Sequence, residues 1–157
     1  AQAITDGWIE TTPGNVTDYD YIEKAVLEDF ERYDITKLAF DRWNASQLIT
    51  HLMSELGEDR LVKFGQGFVD MSPACRELER RIKGGLLKHG GNPVVRWMAS
   101  NVSAKSDPAG NIKPDKEASA DKIDGIVALL DAIGAETRTS DEGSSIYDQT
   151  GGAVEAW

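Results

Sequence analysis

The chain has 157 residues, 40% of them hydrophobic, and a formal net charge of −10 at pH 7. This length and apolar content suit one globular domain with a substantial core, and no run of about 18 apolar residues exists that could cross a membrane. The single cysteine, Cys75, excludes an internal disulfide and makes a reducing cytoplasm the expected compartment.

The amino-terminal segment is expected to hold two strands around one helix. Gly7–Thr11 predicts a short strand. Asp18 is a good N-cap for an amphipathic helix that continues to about Tyr33. The short apolar segment Lys37–Phe40, followed at once by Asp41, predicts a buried strand that ends at an acid.

The middle of the chain alternates between helices and strands. An amphipathic helix capped by Asn44 or Ser46 is followed by a predicted strand at Arg60–Phe64. Ser72-Pro73 has the cap-plus-proline pattern of a helix start, and Gly90-Gly91 is expected to end that helix. Apolar residues at helical spacing predict its buried face: Leu78, Ile82 and Leu86.

The carboxy-terminal part is expected to contain a helix, a hairpin and a final helix. Asn92-Pro93 repeats the cap-plus-proline pattern before an apolar segment in which Trp97 is predicted to be buried, with a strand there as the alternative. Residues 102–116 predict a hairpin around a proline–glycine turn. The last helix is predicted at Ser119–Ile133, with Gly134 as its end.

This alternation of strands and helices predicts an α/β fold. We expect the folded domain to cover residues 1–136 and the polar segment 137–157 to form a tail. The charge is unevenly distributed, because residues 60–122 carry a net charge of +5 and the remainder −15. A basic middle could present a DNA-facing surface, although simple solvation of helix faces explains the pattern better on composition alone.

The two histidines offer little catalytic chemistry. His51 lies within an amphipathic helix and His89 within a glycine-rich turn, and neither belongs to a nucleophile motif. One cysteine and two distant histidines do not make a zinc site, and the sequence contains no P-loop for nucleotide phosphates. Carboxylates are therefore the remaining candidates.

Asp41 and Asp124 are the two carboxylates best placed for chemistry. Asp41 follows a buried strand, at the end where parallel sheets bind ligands. Asp124 directly follows Ile123 of the final helix's apolar stripe and so lies about 100° from it around the helix axis, at the margin of the core. Carboxylate oxygens suit Mg²⁺ or Mn²⁺, and two such ions can clamp a phosphodiester. By spacing alone, surface solvation is the commoner role of such acids.

Several segments, read together, resemble the large terminase subunit of tailed double-stranded DNA phages and prophages. These segments include LAFDRWNASQL and HGGNPVVRWMASNV, and weaker similarity extends to GWIETTPGNVTDYDYI upstream and SSIYDQTGG downstream. Each segment is modest by itself, but four in the correct order are highly specific. The four segments are residues 38–48, 62–82, 89–102 and 110–132.

The resemblance implies a ribonuclease H-like nuclease domain with a mixed sheet flanked by helices. It implies a hydrolase that cuts concatemeric viral DNA with two Mg²⁺ or Mn²⁺ ions held by an acidic cluster. Asp41, in FDRWN, corresponds to the cluster acid on a central strand, and Asp124, in KIDG, to the late acid on the last helix. Both are therefore expected to be catalytic metal ligands.

The resemblance also implies a location and partners. The location is the cytoplasm of a bacterial host. The partners are double-stranded DNA and the upstream packaging ATPase domain, with the portal and the small terminase subunit as further candidates and no membrane.

The resemblance is incomplete on the amino-terminal side. The family's first cluster acid lies on an opening strand upstream of the GWIETTPGN-like region, and Asp6 is in the wrong place to replace it. We therefore expect a fragment of a longer enzyme, with weak or no cleavage by itself. A sheet that lacks strands has an exposed edge, which self-association would cover.

Seven basic residues are candidates for contacts with DNA phosphates. Arg42 directly follows Asp41, and Lys116 and Lys122 flank the Asp124 segment. Ordinary solvent-exposed helix charges explain each of them about as well. The full set is Arg42, Arg76, Arg80, Lys83, Lys113, Lys116 and Lys122.

Two other functions remain open at this point. The chain could be a catalytically incomplete DNA-binding or docking module of the packaging motor, which the missing acid favours. A resolvase-like or transposase-like relative would share the fold but not the terminase-like segments.

Overall fold

The computed structural model describes residues 2–41 and 47–143, with side chains as far as Arg138. The helices are α1 (Gln2–Thr5), α2 (Tyr19–Arg32), α3 (Gln47–Leu56), α4 (Phe68–Lys83), α5 (Pro93–Asn101) and α6 (Asp124–Gly143). The strands are β1 (Leu38–Asp41), β2 (Leu61–Phe64), β3 (Ala104–Ser106) and β4 (Ile112–Pro114). The predicted α/β class is confirmed. Within the described ranges, no helix is long and apolar enough to cross a membrane.

The four described strands form two separate sheets rather than the single mixed sheet that was predicted. β1 and β2 are parallel, with Asp41 opposite Phe64 at their carboxyl ends. β3 and β4 form an antiparallel hairpin. The hairpin is held against α4, where the buried hydroxyl of Ser72 accepts a hydrogen bond of 3.2 Å from the Ile112 N–H. The Ile112 N–H at the edge of β4 therefore bonds to a helix and is not available to a further strand.

Helix α6 organises the main core. It packs on α4, α5 and the parallel strands, and its apolar residues bury the fully enclosed side chains of Phe64 and Met71. A second cluster lies around Phe40, Leu52 and Leu61, where α2 and α3 cover the other part of the parallel pair. The parallel strands are therefore enclosed by helices, as such strands require.

Helix caps account for the elements that the sequence predicted well. The Asp18 carboxylate accepts a hydrogen bond of 3.1 Å from the Tyr21 N–H and starts α2. The Asn92 side chain accepts hydrogen bonds from the Val94 and Val95 N–H groups, with Pro93 as the first helical residue of α5. The helix at α5 is thus confirmed, and the strand alternative is wrong.

The hairpin prediction is also confirmed, and Asp107 holds its turn. Its carboxylate accepts hydrogen bonds of 2.8 Å from the Asn111 backbone N–H and from the Asn111 side chain. These bonds lower the pKa of Asp107. Gly110 adopts a φ of +78°, which only glycine does without strain.

The predicted strand at Gly7–Thr11 is wrong. The chain leaves α1 through Gly7, whose φ of +74° turns it back. The N–H groups of Trp8 and Ile9 then donate to the carbonyl of Ala3. Local turn bonds therefore satisfy donors that a strand would direct to a neighbour.

The predicted limits of α4 are wrong at both ends. The helix begins at Phe68 and carries Pro73 inside it, because Ser72 contacts the hairpin instead of capping the helix. It ends at Lys83, where Gly84-Gly85 closes the helix and the Leu86 N–H donates to the Arg81 carbonyl.

Three side chains predicted to be buried are exposed. They follow apolar periodicity in the sequence, but no element among the described residues covers them. They are Ile82, Leu86 and Trp97.

The predicted limits of the last helix are also wrong. Ser119 bonds the hairpin strand and the preceding turn, since its hydroxyl accepts from the Ser103 N–H and donates to the Asp115 carbonyl. The helix starts only at Asp124 and continues through Gly134 to Gly143, so it crosses the tail boundary predicted at residue 137. Residues 144–157 of that tail lie outside the described residues, as does Arg42.

Gly134 allows α6 to approach the parallel sheet. An added Cβ would overlap the Cε2 and Cζ atoms of the Phe64 ring, which is fully buried. The glycine predicted to end the helix is therefore a packing residue inside it.

We predict that Gly134→Ala destabilises the protein by up to about 2 kcal/mol, because overpacking a core costs about 1–3 kcal/mol and alanine regains only about 1 kcal/mol of helix propensity. Urea denaturation measures the change. Gly125→Ala is the control in the same helix, since its Cβ would meet the movable Met98 Sδ at 2.8 Å. The packing role of Gly134 would be contradicted if Gly134→Ala lowered the free energy of unfolding no more than Gly125→Ala.

Candidate active site

A cleft of about 440 Å³ lies between the end of β1, the hairpin and α6. Five carboxylates and three lysines are among its lining residues. We call it the carboxylate cleft. Its acids are Asp41, Asp115, Glu117, Asp124 and Asp131, and its lysines are Lys105, Lys113 and Lys116.

The structure brings together the two acids that the sequence singled out. Asp41 is the last residue of β1, and Asp124 is the first residue of α6. Both line the carboxylate cleft. The Asp124 side chain is 64% exposed and lies 3.1 Å from the Lys116 ammonium. Asp124 therefore occupies the mouth of the cleft.

Asp131 is an acid of this cleft that the sequence analysis missed. It follows Asp124 by seven residues, which places the two only about 20° apart around an ideal helix. Asp131 is buried, and the Gln66 side-chain amide donates to its Oδ1 at 3.1 Å and its Oδ2 at 3.3 Å. The signal was present in the sequence, because one acid interrupts the apolar run from Ile126 to Ile133.

Burial raises the pKa of Asp131 to about 6, against the lowering effect of the Gln66 hydrogen bond. The negative charge of Asp41 raises this pKa further, and the positive charge of Lys116 lowers it. An acid with a raised pKa in a cleft, with another acid as one cause, is typical of functional sites.

The hairpin supplies the lysines of the cleft. The Lys113 ammonium donates to the Gln66 carbonyl at 2.9 Å and also lies over the Phe68 ring. Lys105, which the sequence analysis did not select, lies 3.3 Å from the Asp115 carboxylate. Burial raises the pKa of Asp115, but the Lys105 bond and a backbone N–H bond outweigh it and leave that pKa below its usual value. The lysines therefore neutralise part of the cleft's negative charge.

Four other basic candidates lie outside the carboxylate cleft, and Arg42 is not among the described residues. Lys122 borders a neighbouring depression that also contains Lys116 and Asp124. On α4, Arg80 forms a two-bond ion pair with Glu77. The remaining two on that helix also have acceptors: Arg76 donates to the Gly110 carbonyl, and Lys83 donates to Glu79.

The donor chemistry of the cleft suits a hard divalent cation. Mg²⁺ in proteins commonly takes one or two carboxylates and fills its other positions with waters and substrate phosphates. In the part of the chain that the structure describes, no three His, Cys, Asp or Glu side chains lie close enough to hold a metal ion jointly. The cleft therefore fits a site that takes two carboxylates from these residues, and not a complete protein cage.

Comparison with known proteins assigns the family. The family model for the terminase large subunit endonuclease domain matches residues 1–140. The chain belongs to this terminase family. It is 36% identical over 145 residues to the terminase large subunit of Enterobacteria phage HK97, covering 92% of this chain and 29% of that protein.

A second relative and a solved structure are also similar to the chain. The chain is 33% identical over 132 residues to protein YmfN of Escherichia coli strain K12, covering 82% of this chain and 28% of that protein. The crystal structure of the HK97 bacteriophage large terminase matches with a TM-score of 0.78 and 37% identity, covering 85% of this chain and 28% of that one. This terminase segment thus spans less than a third of the relatives it matches.

We predict that Asp131 makes the metal-free protein less stable as pH rises from about 4 to 6. In the folded protein its pKa is about 6, above the ordinary value of 3.8. The proton on Asp131 therefore adds to the free energy of unfolding. This contribution is complete below pH 3.8 and is lost as pH rises through about 6. Charged neighbours on β1 and after β4, Asp41 and Lys116, contribute to the shift. Urea denaturation in EDTA at several pH values measures it.

Asp131→Asn should remove this component of the pH dependence. Glu117→Gln is the control, because it removes an exposed carboxyl from the same cleft. The assignment of this pH dependence to Asp131 would be contradicted if the free energy of unfolding of Asp131→Asn fell between about pH 4 and 6 as steeply as that of the wild type.

Proposed function

We propose that this segment is the carboxy-terminal part of a ribonuclease H-like DNA endonuclease domain that cuts concatemeric viral DNA during packaging. The observation that carries the proposal is the meeting of Asp41 and Asp124 in one cleft, lined by lysines, in a chain of the terminase endonuclease family. The reaction is phosphodiester hydrolysis that depends on two divalent ions, Mg²⁺ or Mn²⁺.

Asp41 and Asp124 would hold the ions in this proposal. When bound, such ions supply Lewis-acid polarisation of the scissile phosphate and a lower pKa for water. Asp41 is the last residue of β1, and Asp124 is the first residue of α6, so both are carried on regular elements. The Lys116 ammonium, 3.1 Å from Asp124, would turn to a phosphate oxygen as the cation takes over the carboxylate.

The hairpin would position the DNA backbone. Lys113 and Lys116 lie beside the acids, and Lys122 extends the basic edge along the neighbouring depression. Phosphate contacts fix the register of a duplex without reading its sequence. Arg76, Arg80 and Lys83 would contribute to a more distant stretch of DNA on α4 once they leave their present acceptors.

The proposed partners follow from the packaging role. They are double-stranded DNA, the ATPase domain of the large subunit, the portal and the small subunit, in the cytoplasm of the bacterial host. Both strands of the parallel pair have one edge without a strand neighbour among the described residues, and a missing strand or a second copy of the chain would cover such an edge.

A second candidate function is a DNA-binding or docking module without cleavage. The described residues do not bring three acids together at a metal-holding distance, and this favours weak or no cleavage by the segment alone. Metal-dependent plasmid cleavage would distinguish the two functions.

We predict that Asp41→Asn and Asp124→Asn each reduce plasmid cleavage at least about 100-fold in a full-length large subunit that carries this segment, since a metal ion supplies several kcal/mol of charge stabilisation. ATP hydrolysis should be unchanged. Asp20→Asn, on exposed α2, is the matched control. Wild-type cleavage in either cleft variant would remove that residue from the site, and duplex binding without any wild-type cleavage would support the docking module.

We predict that Lys116→Gln and Lys122→Gln each weaken duplex binding and reduce the slope of log affinity against log salt by about one. Fluorescence anisotropy at several salt concentrations, with Mg²⁺ held constant, measures the slope. Lys24→Gln is the control, because Lys24 lies on α2 beside Glu28 and away from the cleft. An equal fall of this salt slope in Lys24→Gln would show that the effect comes from the overall charge of the protein and not from phosphate contacts at the cleft.

A further inference from the structure

Asp131 is the innermost acid of the carboxylate cleft. Its residue is 8% exposed, whereas the Asp124 side chain is 64% exposed. The described residues offer its carboxylate hydrogen bonds from the neutral amide of Gln66. The nearby Lys116 forms its ion pair with Asp124 instead. A buried carboxylate whose hydrogen bonds come from a neutral group keeps a charge that a bound cation would balance.

Asp41 lines the same cleft from the carboxyl end of β1. Its strand partner at the carboxyl end of the parallel pair is Phe64. The Phe64 ring packs against Gly134, less than one helical turn after Asp131. Asp131 therefore lies at about the level of the strand ends, in the cleft that Asp41 also lines. Two carboxylates of like charge that line one cleft are stabilised by a cation bound between them.

Gln66 fixes the direction of the Asp131 carboxylate. Its side-chain amide donates to both carboxylate oxygens, and its backbone carbonyl accepts from Lys113 at 2.9 Å. Carboxylates that bind metals are themselves oriented by hydrogen bonds of this kind. Gln66 follows β2, so three elements (the parallel pair, the hairpin and α6) together hold one carboxylate in place.

We propose that Asp131 joins Asp41 as a ligand of a divalent cation at the bottom of the carboxylate cleft, with Gln66 as its positioning residue. This inference deepens the proposed function and rests on it. Two carboxylates, completed by waters and phosphate oxygens, match the usual coordination of Mg²⁺. Asp124 then serves the mouth of the cleft, where DNA enters.

Titration of Mn²⁺ into the purified 157-residue chain by isothermal titration calorimetry tests this ligand assignment without reference to cleavage. We expect Asp131→Asn to weaken Mn²⁺ binding at least about tenfold, because even the hydrogen-bond partners of metal ligands are worth about 10- to 100-fold in affinity. Glu117→Gln removes an equal charge from the exposed part of the same cleft and should change the affinity much less.

Thermal melting in EDTA shows whether the variant folds. Asparagine keeps an oxygen for the Gln66 hydrogen bond and removes a buried charge, so we expect its melting temperature at pH 7.5 to equal or exceed that of the wild type. Added Mn²⁺ should raise the melting temperature of the wild type and of Glu117→Gln more than that of Asp131→Asn.

Three outcomes would overturn the inference: wild-type Mn²⁺ affinity in Asp131→Asn, an equal loss in Glu117→Gln, or no Mn²⁺ binding by the wild-type chain. A melting temperature of Asp131→Asn well below the wild type would also overturn it, because Asp131 would then be a structural acid. None of these results decides cleavage by the full-length subunit, which tests the proposed function separately.

Discussion

The contact between Gly134 and the Phe64 ring determines how the rest of the site is built. A parallel pair of four-residue strands has little stability alone and requires helices over it. A glycine lets α6 come close enough to enclose Phe64 completely. The same approach brings the acidic face of α6 opposite the carboxyl end of β1. Core packing and the geometry of the carboxylate cleft thus depend on one close approach.

Local signals explain which elements could be predicted. Asp18, Asn92 and Asp107 act within four residues of themselves, through hydrogen bonds to nearby backbone N–H groups. These bonds form in the same way whatever surrounds the segment. The strand that ends at Asp41 was likewise predicted from its apolar run and the acid that follows.

Tertiary contacts explain the elements that were predicted wrongly. Ser72 and Ser119 have the composition of helix caps, but each bonds the hairpin instead. Gly134 resembles a helix end and is a packing residue, since Phe64 lies 70 residues earlier in the chain. A single sequence contains no signal for partners at such distances, so the limits of α4 and α6 followed contacts that only the fold provides.

The same distinction applies to the candidate site. Asp41 and Asp124 were found because each lies at the end of an element and because the terminase resemblance selected the same two positions. Asp131 was not predicted, because its neighbours follow the helical periodicity of core residues and nothing in that pattern explains an acid among them. Its hydrogen-bond partner Gln66 lies between two glycines, and this composition predicts only a flexible loop.

The charges of the cleft connect cation binding with DNA binding in the proposed function. Five carboxylates exceed three lysines among the lining residues, so the metal-free cleft repels a phosphodiester despite its basic hairpin. Cations that neutralise Asp41, Asp124 and Asp131 would reverse that balance and free Lys116 from its ion pair. The DNA strand to be cut would then bind only to a cleft that already holds the cations needed for hydrolysis. In this proposal an acidic segment with a basic middle can serve a nuclease, because its affinity for DNA at the site would depend on the same ions that would support hydrolysis.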